Sequence, residues 1–282
     1  MIDARFDARS PRPKTLLVAS GKGGVGTSVI AALTAIAAAE RGDRVLLVDA
    51  TEAGGTLHHL FGVRPTNSLW MLTDTRIDPT DTVIAIDAHL SLVAGGTSAT
   101  AVAPLVDADR RATLTRLGEL YSQFDFVVVD AGSRLDTITA VSELAEPAVL
   151  LVTSADRLAL AANYALVKSV STRRRDARIS VIANRHGESL AGEACDFLVG
   201  ACSHFLNRSI EVVGAVPDDA CLQAAVGAGM TVRDALDGSP AVEAIRAAVT
   251  TLLPSPRSAP RPMAFSASSH SLPASLSSRR WS

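Results

Sequence analysis

The glycine-rich segment at residues 20–28 carries the residue types in this chain that best fit a chemical task. It reads S-G-K-G-G-V-G-T-S, follows the apolar run at residues 15–19 and precedes an alanine-rich segment at residues 29–39. A buried strand, a glycine loop and a helix in this order direct successive backbone N–H groups, and the positive end of the helix dipole, at an anion. The segment therefore predicts a binding site for phosphate groups, and we call it the phosphate loop.

The phosphate loop departs at one position from the usual pattern G-x-x-x-x-G-K-[ST]. Gly21, Gly26 and Ser28 match that pattern, but Thr27 stands where it has its phosphate-binding lysine. A different lysine, Lys22, follows the first glycine. Every residue from the first glycine to the serine is predicted to contact the bound ligand. These residues are Gly21, Lys22, Gly23, Gly24, Val25, Gly26, Thr27 and Ser28.

Two aspartates that follow apolar runs are candidates for a metal site. Asp49 ends the run L-L-V-D, and Asp130 ends the run F-V-V-V-D. Carboxylates at the ends of buried strands need a partner, and parallel strands would carry both to the edge that holds the phosphate loop. Because a serine hydroxyl in this loop is a common Mg²⁺ ligand, we predict a magnesium site at Ser28, Asp49 and Asp130. The alternative is that both aspartates cap the turns that follow them.

The elements that would position these residues alternate along the chain as apolar runs and helical patterns, which indicates a parallel sheet with crossover helices. Strands are predicted at residues 15–19, 45–48, 90–94, 126–129, 149–152, 179–183 and 210–213. Helices are predicted at residues 28–40, 107–123, 138–144, 158–172, 190–206 and 241–253. The sequence thus predicts an α/β fold with a single doubly wound, mostly parallel sheet and helices on both faces.

Composition sets the expected domain boundaries near the two ends of the chain. Residues 254–282 contain ten Ser, five Pro and four Arg with no Asp or Glu. Such a segment buries too little apolar surface to offset the entropy of ordering, so we expect a disordered tail there. Residues 1–13 are expected to form a flexible N-terminus. Residues 14–253 then form one nucleotide-binding domain, which is long enough for a full core.

The overall charge and hydropathy exclude several classes of protein. The chain has 27 basic and 29 acidic residues and a net charge of −2, so its global charge favours neither nucleic acid nor a membrane surface. Residues 1–14 lack the apolar region of a secretory signal. No run approaches the roughly 18 apolar residues of a membrane-spanning helix. We therefore expect a cytoplasmic protein whose tail makes weak or no membrane contact.

The K-G-G-V-G core at residues 22–26 resembles the motif K-G-G-x-G-K-[ST] of the MinD/ParA ATPases, the deviant Walker A group of the SIMIBI class. The resemblance extends over roughly residues 14–253. It implies that ATP and Mg²⁺ bind at the phosphate loop. It also implies a homodimer with nucleotide between the subunits, in which Lys22 reaches the ATP of the opposite subunit.

The same resemblance implies roles for residues at other strand ends. Gly132, in the D-A-G motif, corresponds to a switch glycine whose N–H approaches the γ-phosphate. The loop at residues 133–134 lacks the second glycine that is usual there. Asn184 would pair with the adenine edge through its amide, and Pro217 and Asp218 would lie beside the base.

Two departures from the family pattern concern hydrolysis. Thr27 replaces a lysine, and Thr51 replaces the second acid of a D-x-D motif that begins at Asp49. Glu52 is the candidate substitute for orienting the attacking water, so Lys22, Asp49 and Glu52 are the catalytic candidates. Losing a lysine that stabilises the transition state costs on the order of several kcal/mol. We therefore expect ATP binding with slow or absent hydrolysis, and whether the protein is an enzyme stays open.

Further segments narrow the resemblance to one branch of the family. Residues 144–153, 162–168 and 205–218 resemble the FlhG/FleN/YlxH branch, whose members control the number and placement of flagella, commonly with an SRP-type GTPase. The N-terminal D-Q-A-x-x-L-R element of that branch is not visible in residues 1–14. The favoured function is an ATP-dependent dimerisation switch that positions or counts a cell-surface apparatus such as the flagellum.

Two alternative functions remain open. Thr27 and Thr51 favour a non-hydrolysing ATP-binding scaffold of the TadZ/CpaE type, which serves pili. The cluster Arg173, Arg174 and Arg175 is the only support for a ParA-like DNA-partition ATPase. Because cations at a helix end also complement its dipole, DNA is not the expected partner. Recruitment to the inner face of the membrane by a flagellar or pilus assembly protein also stays open.

Overall fold

The centre of the structure is an eight-stranded sheet, in which every pair of neighbouring strands but one is parallel. The computed structural model of the chain describes residues 14–52, 54–96, 106–145, 147–185 and 188–253. Its strands are β1 (Lys14–Ala19), β2 (Val45–Asp49), β3 (Val83–Ala85), β4 (Leu90–Val93), β5 (Phe126–Gly132), β6 (Ala148–Thr153), β7 (Ile179–Asn184) and β8 (Glu211–Val216). The N-terminal segment and tail expected at residues 1–13 and 254–282 lie outside the described residues.

Eight α-helices connect and cover the strands in this part of the chain. They are α1 (Thr27–Glu40), α2 (Leu57–Leu60), α3 (Asp107–Gly118), α4 (Leu135–Leu144), α5 (Arg157–Arg173), α6 (Glu188–Leu206), α7 (Ala220–Gly227) and α8 (Pro240–Leu252). Buried side chains form two apolar cores, one on each face of the sheet. The α/β class and the doubly wound sheet predicted from the sequence are confirmed.

The strand order places the phosphate loop at the middle of one sheet edge. Across the sheet the order is β3-β4-β2-β5-β1-β6-β7-β8, so β1 lies between β5 and β6. The chain winds outward from β1 in both directions, and in such sheets the crevice for a ligand opens at the carboxyl ends of the strands beside this reversal. Residues that follow β1, β2, β5 and β7 therefore face one region. In the described residues, no helix has the length and apolar character needed to cross a bilayer.

The structure corrects several predicted boundaries. The helix predicted at residues 107–123 ends at Gly118, and a 3₁₀ turn follows at Tyr121–Gln123. Strand β5 continues beyond Val129 because the backbones of Ala50 and Ser20 donate to the carbonyls of Asp130 (2.8 Å) and Gly132 (2.9 Å). Strand β3, antiparallel to β4, and helix α7 were not predicted, because each is too short to show a clear hydrophobic period.

Candidate functional site

The phosphate loop has the backbone geometry of an anion site. Gly24 and Gly26 have φ angles of 81° and 91°, a left-handed region that favours glycine. Gly26 is the N-cap of α1, and the first turn of that helix contains no acidic residue. As glycine has no side chain to cap the helix, the first N–H groups of α1 remain available to an anion. Both glycine positions therefore suit the predicted phosphate contacts.

Thr27 is bound into the loop by its own hydroxyl. Its Oγ1 donates to Ser20 Oγ at 2.9 Å, and Ser20 Oγ donates to the carbonyl of Lys22 at 2.8 Å. The Thr27 side chain is buried, with 7% exposure. Where the usual motif has a phosphate-binding lysine, this loop has a threonine whose hydroxyl is hydrogen-bonded within the loop. These two hydrogen bonds connect the end of the loop to its start.

Two buried asparagines hold the loop from outside. Asn163 on α5 accepts from the backbone N–H of Gly21 at 2.7 Å and donates to the carbonyl of Val152 on β6 at 3.1 Å. Asn184 at the end of β7 donates to the carbonyl of Val25 at 2.8 Å. The sequence analysis missed this role of Asn163, because a single asparagine in a helix carries no local signal. Asn184 does reach the site, and its predicted contact with adenine stays a prediction.

Lys22 lies at the rim of the site and turns towards the start of α5. Its Nζ is 3.1 Å from Asp156 Oδ2, and both side chains are a little over 40% exposed. Asp156 is the N-cap of α5 and accepts from the N–H groups of Leu158 and Ala159. Hydrogen bonds from Ser154, Ala159 and Lys22 hold the pKa of the Asp156 carboxyl well below its usual range. This exposed ion pair contributes little to stability and can open readily.

The two aspartates predicted as metal ligands lie side by side but differ in their bonding. Asp49 and Asp130 are neighbours in register on β2 and β5, and both are fully buried. Asp49 accepts from the N–H (3.1 Å) and hydroxyl of Thr51 and from the N–H of Leu57 (3.2 Å), so it caps the turn that follows it. Asp130 Oδ1 accepts from Gly132 N at 2.9 Å. Its Oδ2 is buried with no hydrogen-bond partner among the described residues.

This asymmetry fits a divalent cation beside Asp130. Burial and the charge of Asp49 raise the pKa of Asp130 to about 7, and the nearby Ser28 hydroxyl and the Gly132 N–H only partly offset that rise. A buried carboxylate oxygen without a donor is a favourable ligand for a hard cation. Ser28 and Asp130 therefore suit the predicted magnesium site, whereas Asp49 follows the capping alternative and contributes mainly its charge.

Glu52 is ion-paired through one carboxylate oxygen, while its other oxygen, Oε2, is buried with no hydrogen-bond partner among the described residues. It is 4% exposed, and its Oε1 accepts from Arg110 Nε on α3 at 2.6 Å. Thr137 Oγ1 on α4 lies 3.5 Å from the same oxygen, and Arg134 Nη2 lies 3.5 Å from Oε2. Glu52 thus joins α3 and α4 to the loop after β2, and its predicted role in orienting the attacking water stays a prediction.

A cleft of about 290 Å³ opens beside the phosphate loop, where the base was predicted to lie. Its walls are mainly apolar, and its lining residues are Gly26, Val29, Ile30, Leu33, Asn184, Arg185, Val216, Pro217, Asp219, Leu222, Gln223, Val226, Gly227 and Ala241. Such a cleft suits a flat aromatic ring with a few polar edge contacts.

Asn184 and Pro217 line this cleft, whereas Asp218 is not among its lining residues, and the contacts of all three with a base stay predictions. Asp218 is exposed and accepts a hydrogen bond from Gln223. Asp219 lines the cleft instead, accepting from Leu222 N (2.9 Å) and Ser239 Oγ (2.6 Å). Sequence spacing could not choose between two adjacent aspartates, because the side that each one faces depends on where α7 begins.

A larger cavity of about 900 Å³ lies away from this cleft, between α5 and α6. Its lining is mainly apolar and includes Tyr164, Phe197 and Phe205. Phe197 and Phe205 are 66% and 71% exposed. None of the residues predicted for the phosphate loop or the metal lines this cavity, so it is a separate apolar surface.

Replacing Gly21 by alanine should break the contact between the loop and α5. The added Cβ would lie 2.2 Å from the backbone carbon of Ala162, which cannot move without shifting the helix. We expect Gly21→Ala to lower the free energy of unfolding by about 1–3 kcal/mol, measured by chemical denaturation. Gly200→Ala, at an exposed helical position with open space, is the control and should be neutral or stabilising. Equal effects of the two substitutions would contradict the close approach.

Replacing Asp130 by asparagine should stabilise the metal-free protein. A folded-state pKa of about 7, above the ordinary value of 3.8, makes the carboxyl progressively destabilising as pH rises between those values. We expect Asp130→Asn to raise the melting temperature in EDTA, with a gain in the free energy of unfolding of about 1 kcal/mol or more at pH 8 and less at pH 5. Asp49→Asn should lower it, because Asp49 accepts from three donors. A lower melting temperature for both variants at pH 8 would contradict the assignment.

Comparison with known proteins agrees with this geometry. The antiactivator FleN of Pseudomonas aeruginosa is 25% identical over 236 residues, which cover 83% of this chain and 84% of FleN. The flagellum site-determining protein YlxH of Helicobacter pylori is 26% identical over 181 residues, covering 64% of this chain and 61% of YlxH. The solved structure of the septum site-determining protein MinD complexed with Mg-ADP, from Pyrococcus horikoshii OT3, matches with a TM-score of 0.68 at 19% identity.

The structural match covers 96% of that MinD chain and 85% of this chain, so the shared fold includes nearly all of the described domain. At this identity the likeness establishes the MinD/ParA-like fold and not the activity. The model of a protein family described as "ParA: NUBPL iron-transfer P-loop NTPase" matches residues 13–252. The matched range includes the phosphate loop, Asp49 at the end of β2, Asp130 within β5, and the cleft beside β7. The chain therefore belongs to the ParA family of P-loop NTPases.

Proposed function

We propose that this protein is a MinD-like switch that binds ATP with Mg²⁺ and dimerises in response. The observation that carries the proposal is the phosphate loop itself, which presents the open N-terminus of α1 beside Ser28 and the unbonded oxygen of Asp130. The relative from Pyrococcus horikoshii was solved with Mg-ADP, which supports the same class of ligand here.

Each part of the site has a distinct task in nucleotide binding. Backbone N–H groups of the phosphate loop would bind the phosphates, while Ser28 and Asp130 would hold Mg²⁺, which neutralises phosphate charge when bound. The apolar cleft would take the adenine ring, with Asn184 and Pro217 at its edge. Gly132, at φ 56°, accepts from Ser20 N through its carbonyl and donates its N–H to Asp130 Oδ1 at 2.9 Å, so its predicted contact with a terminal phosphate would require that N–H to leave Asp130.

Hydrolysis should be slow because the groups that would assist it are missing or engaged. Thr27 carries no charge and is bonded to Ser20. Thr51 donates to Asp49 and cannot act as a base, and Glu52 is ion-paired to Arg110. Among these residues the carboxylate oxygen without a hydrogen bond is Glu52 Oε2, which is buried and lies 3.5 Å from the guanidinium of Arg134, so it is poorly placed to accept a proton from water. The nucleotide state would then persist, which suits a positional signal more than rapid turnover.

Dimerisation would depend on Lys22 leaving its partner within the subunit. The Lys22–Asp156 pair is exposed and weak, so a phosphate group can replace Asp156 as the counter-ion at small cost. If that phosphate belongs to nucleotide on the opposite subunit, the contact exists only in the dimer. Nucleotide then shifts the equilibrium towards the dimer, because it contacts both subunits only in that state.

Replacing Lys22 by alanine should separate nucleotide binding from dimerisation. We expect Lys22→Ala to keep Mg²⁺–ATP binding within a few-fold but to weaken ATP-dependent dimerisation by at least about tenfold, measured by light scattering over a concentration series. Lys168→Ala, at an exposed position of α5, is the matched control and should dimerise normally. ATP-dependent dimers of undiminished stability in Lys22→Ala would refute the role of this lysine.

The biological output that we propose is control of flagellar number or placement. One relative, YlxH of Helicobacter pylori, is named a flagellum site-determining protein, and this name supports such a role here. An assembly partner, such as an SRP-type GTPase, would recruit the dimer from the cytoplasm to the inner face of the membrane. The apolar cavity between α5 and α6 offers an exposed surface for such a partner.

The two other functions have narrower support. A pilus scaffold of the TadZ/CpaE type is favoured by Thr51, which has no carboxylate, and by the ion pair that holds Glu52. The argument for DNA partition is weaker than the sequence suggested, because Arg173 pairs with Glu143, and Arg174 donates to the carbonyls of Ser142 and Pro147. Those bonds hold the end of α5 and leave the cluster less available to phosphates.

Deleting the gene in its own host should change the number of flagella per cell, counted by electron microscopy, and leave pili unaltered. The wild-type gene should restore the count, and a Lys22→Ala gene should not, because the switch needs the dimer. Altered pili with normal flagella would transfer the function to the pilus scaffold. Normal flagella and normal pili would overturn the proposed output.

A further inference from the structure

The phosphate loop has one basic side chain fewer than its motif provides. Within residues 20–28 the only cation is Lys22, whose Nζ pairs with Asp156. Thr27 uses its hydroxyl on Ser20 and has no charge to offer. A bound triphosphate carries its highest negative charge on the terminal phosphate. A second cation, besides Lys22, would therefore stabilise that phosphate.

The segment that begins at Gly132 brings another cation against the loop. The Gly132 carbonyl accepts from Ser20 N at 2.9 Å, at the start of the phosphate loop. The Oγ of Ser133 lies 3.6 Å from where a Cβ on Gly23 would be. Arg134 follows directly as the N-cap of α4, and its side chain is 46% exposed. The backbone of Gly132 and the side chain of Ser133 thus lie against the loop, and an arginine comes next.

The present partners of Arg134 hold it weakly. Its Nη2 lies 3.5 Å from Glu52 Oε2 and 3.7 Å from Asp136 Oδ2, both beyond an ordinary charge-assisted hydrogen bond. Glu52 has a stronger partner in Arg110, at 2.6 Å, and both members of that pair are almost fully buried. Glu52 Oε2 has no hydrogen-bond partner even with Arg134 in place, so Arg134 can move away with no hydrogen bond lost there, and the Glu52 carboxylate keeps its ion pair with Arg110 through Oε1.

Two other arginines near the site do not fit the same task. Arg110 is 3% exposed and fixed between Glu52 and Asp107. Arg185 lines the cleft beside β7 and β8, at the end proposed for the base. Of these three, only Arg134 combines exposure, weak pairing and a position directly after two residues that lie against the phosphate loop.

We propose that Arg134 binds the terminal phosphate of a nucleoside triphosphate and supplies the positive charge that Thr27 lacks. The proposal rests on the proposed nucleotide switch. The guanidinium group of Arg134 is permanently charged and presents paired donors that match phosphate oxygens. It can therefore replace the ammonium group of the lysine that the motif has at position 27, although it approaches the phosphate from a different element. Its task would be to distinguish a triphosphate from a diphosphate, and to draw α4 towards the loop only in the triphosphate state.

The test measures the affinity for two nucleotides by calorimetry, with Mg²⁺ present: a non-hydrolysable ATP analogue and ADP. We expect Arg134→Gln to weaken binding of the ATP analogue roughly 10- to 100-fold, as for loss of a hydrogen bond to a charged group, and to leave ADP affinity within about twofold. Arg134→Lys should recover most of the loss, because it keeps the charge. Arg76→Gln is the control, because Arg76 is exposed and forms its ion pair with the neighbouring Asp74. This variant should bind both nucleotides normally.

Equal weakening for the ATP analogue and ADP, or no change for either, would overturn the role of Arg134. A loss in Arg134→Lys as large as in Arg134→Gln would also overturn it, since charge would then not be the cause. If the wild-type protein binds neither nucleotide, the proposed function fails and this inference fails with it. If the wild type binds both nucleotides and dimerises while Arg134→Gln is unchanged, the inference alone fails.

Discussion

The site depends on two carboxylates that the sheet brings together away from water. Asp49 and Asp130 are neighbours in register and fully buried, so each disfavours the charge of the other. The turn after β2 satisfies Asp49 with three donors, while Asp130 keeps one oxygen without a donor among the described residues. Because the fold leaves this unsatisfied negative charge next to Ser28 and the phosphate loop, a cation bound there would stabilise the native state. Ligand affinity and fold stability are coupled at this one point.

The loop beside these carboxylates is held rigid before any ligand arrives. Asn163 fixes Gly21, Asn184 fixes the carbonyl of Val25, and Thr27 joins the end of the loop to its start. A loop whose backbone is already in place loses little entropy on binding, so more of the contact energy appears as affinity. Thr27 therefore exchanges a mobile charged side chain for internal rigidity. This exchange suits a protein that retains its nucleotide more than one that hydrolyses it quickly.

The parts of this site that the sequence could predict are those set by the strands. Parallel strands buried on both faces appear as apolar runs, so the residues at their ends, Asp49, Asp130 and Asn184, could be assigned to one edge of the sheet. The ion pair of Glu52 could not be predicted, because its partner Arg110 lies 58 residues away in the sequence, on α3. Neither could the choice between adjacent aspartates near Pro217, since it depends on the exact start of α7. Contacts across elements, not local patterns, decide these cases.

The ion pairs around the site divide into a fixed frame and movable groups. The buried pair of Glu52 and Arg110 belongs to the frame, because opening it would leave charges in a low-dielectric interior. Lys22 and Arg134 are both more than 40% exposed, and their acidic partners Asp156 and Glu52 have shorter bonds to Ser154 and Arg110. A ligand phosphate can therefore displace either cation from its present partner without disturbing the core. Since Lys22 precedes α1 and Arg134 begins α4, phosphate charge can act on two helices on opposite faces of the sheet while the sheet stays unchanged.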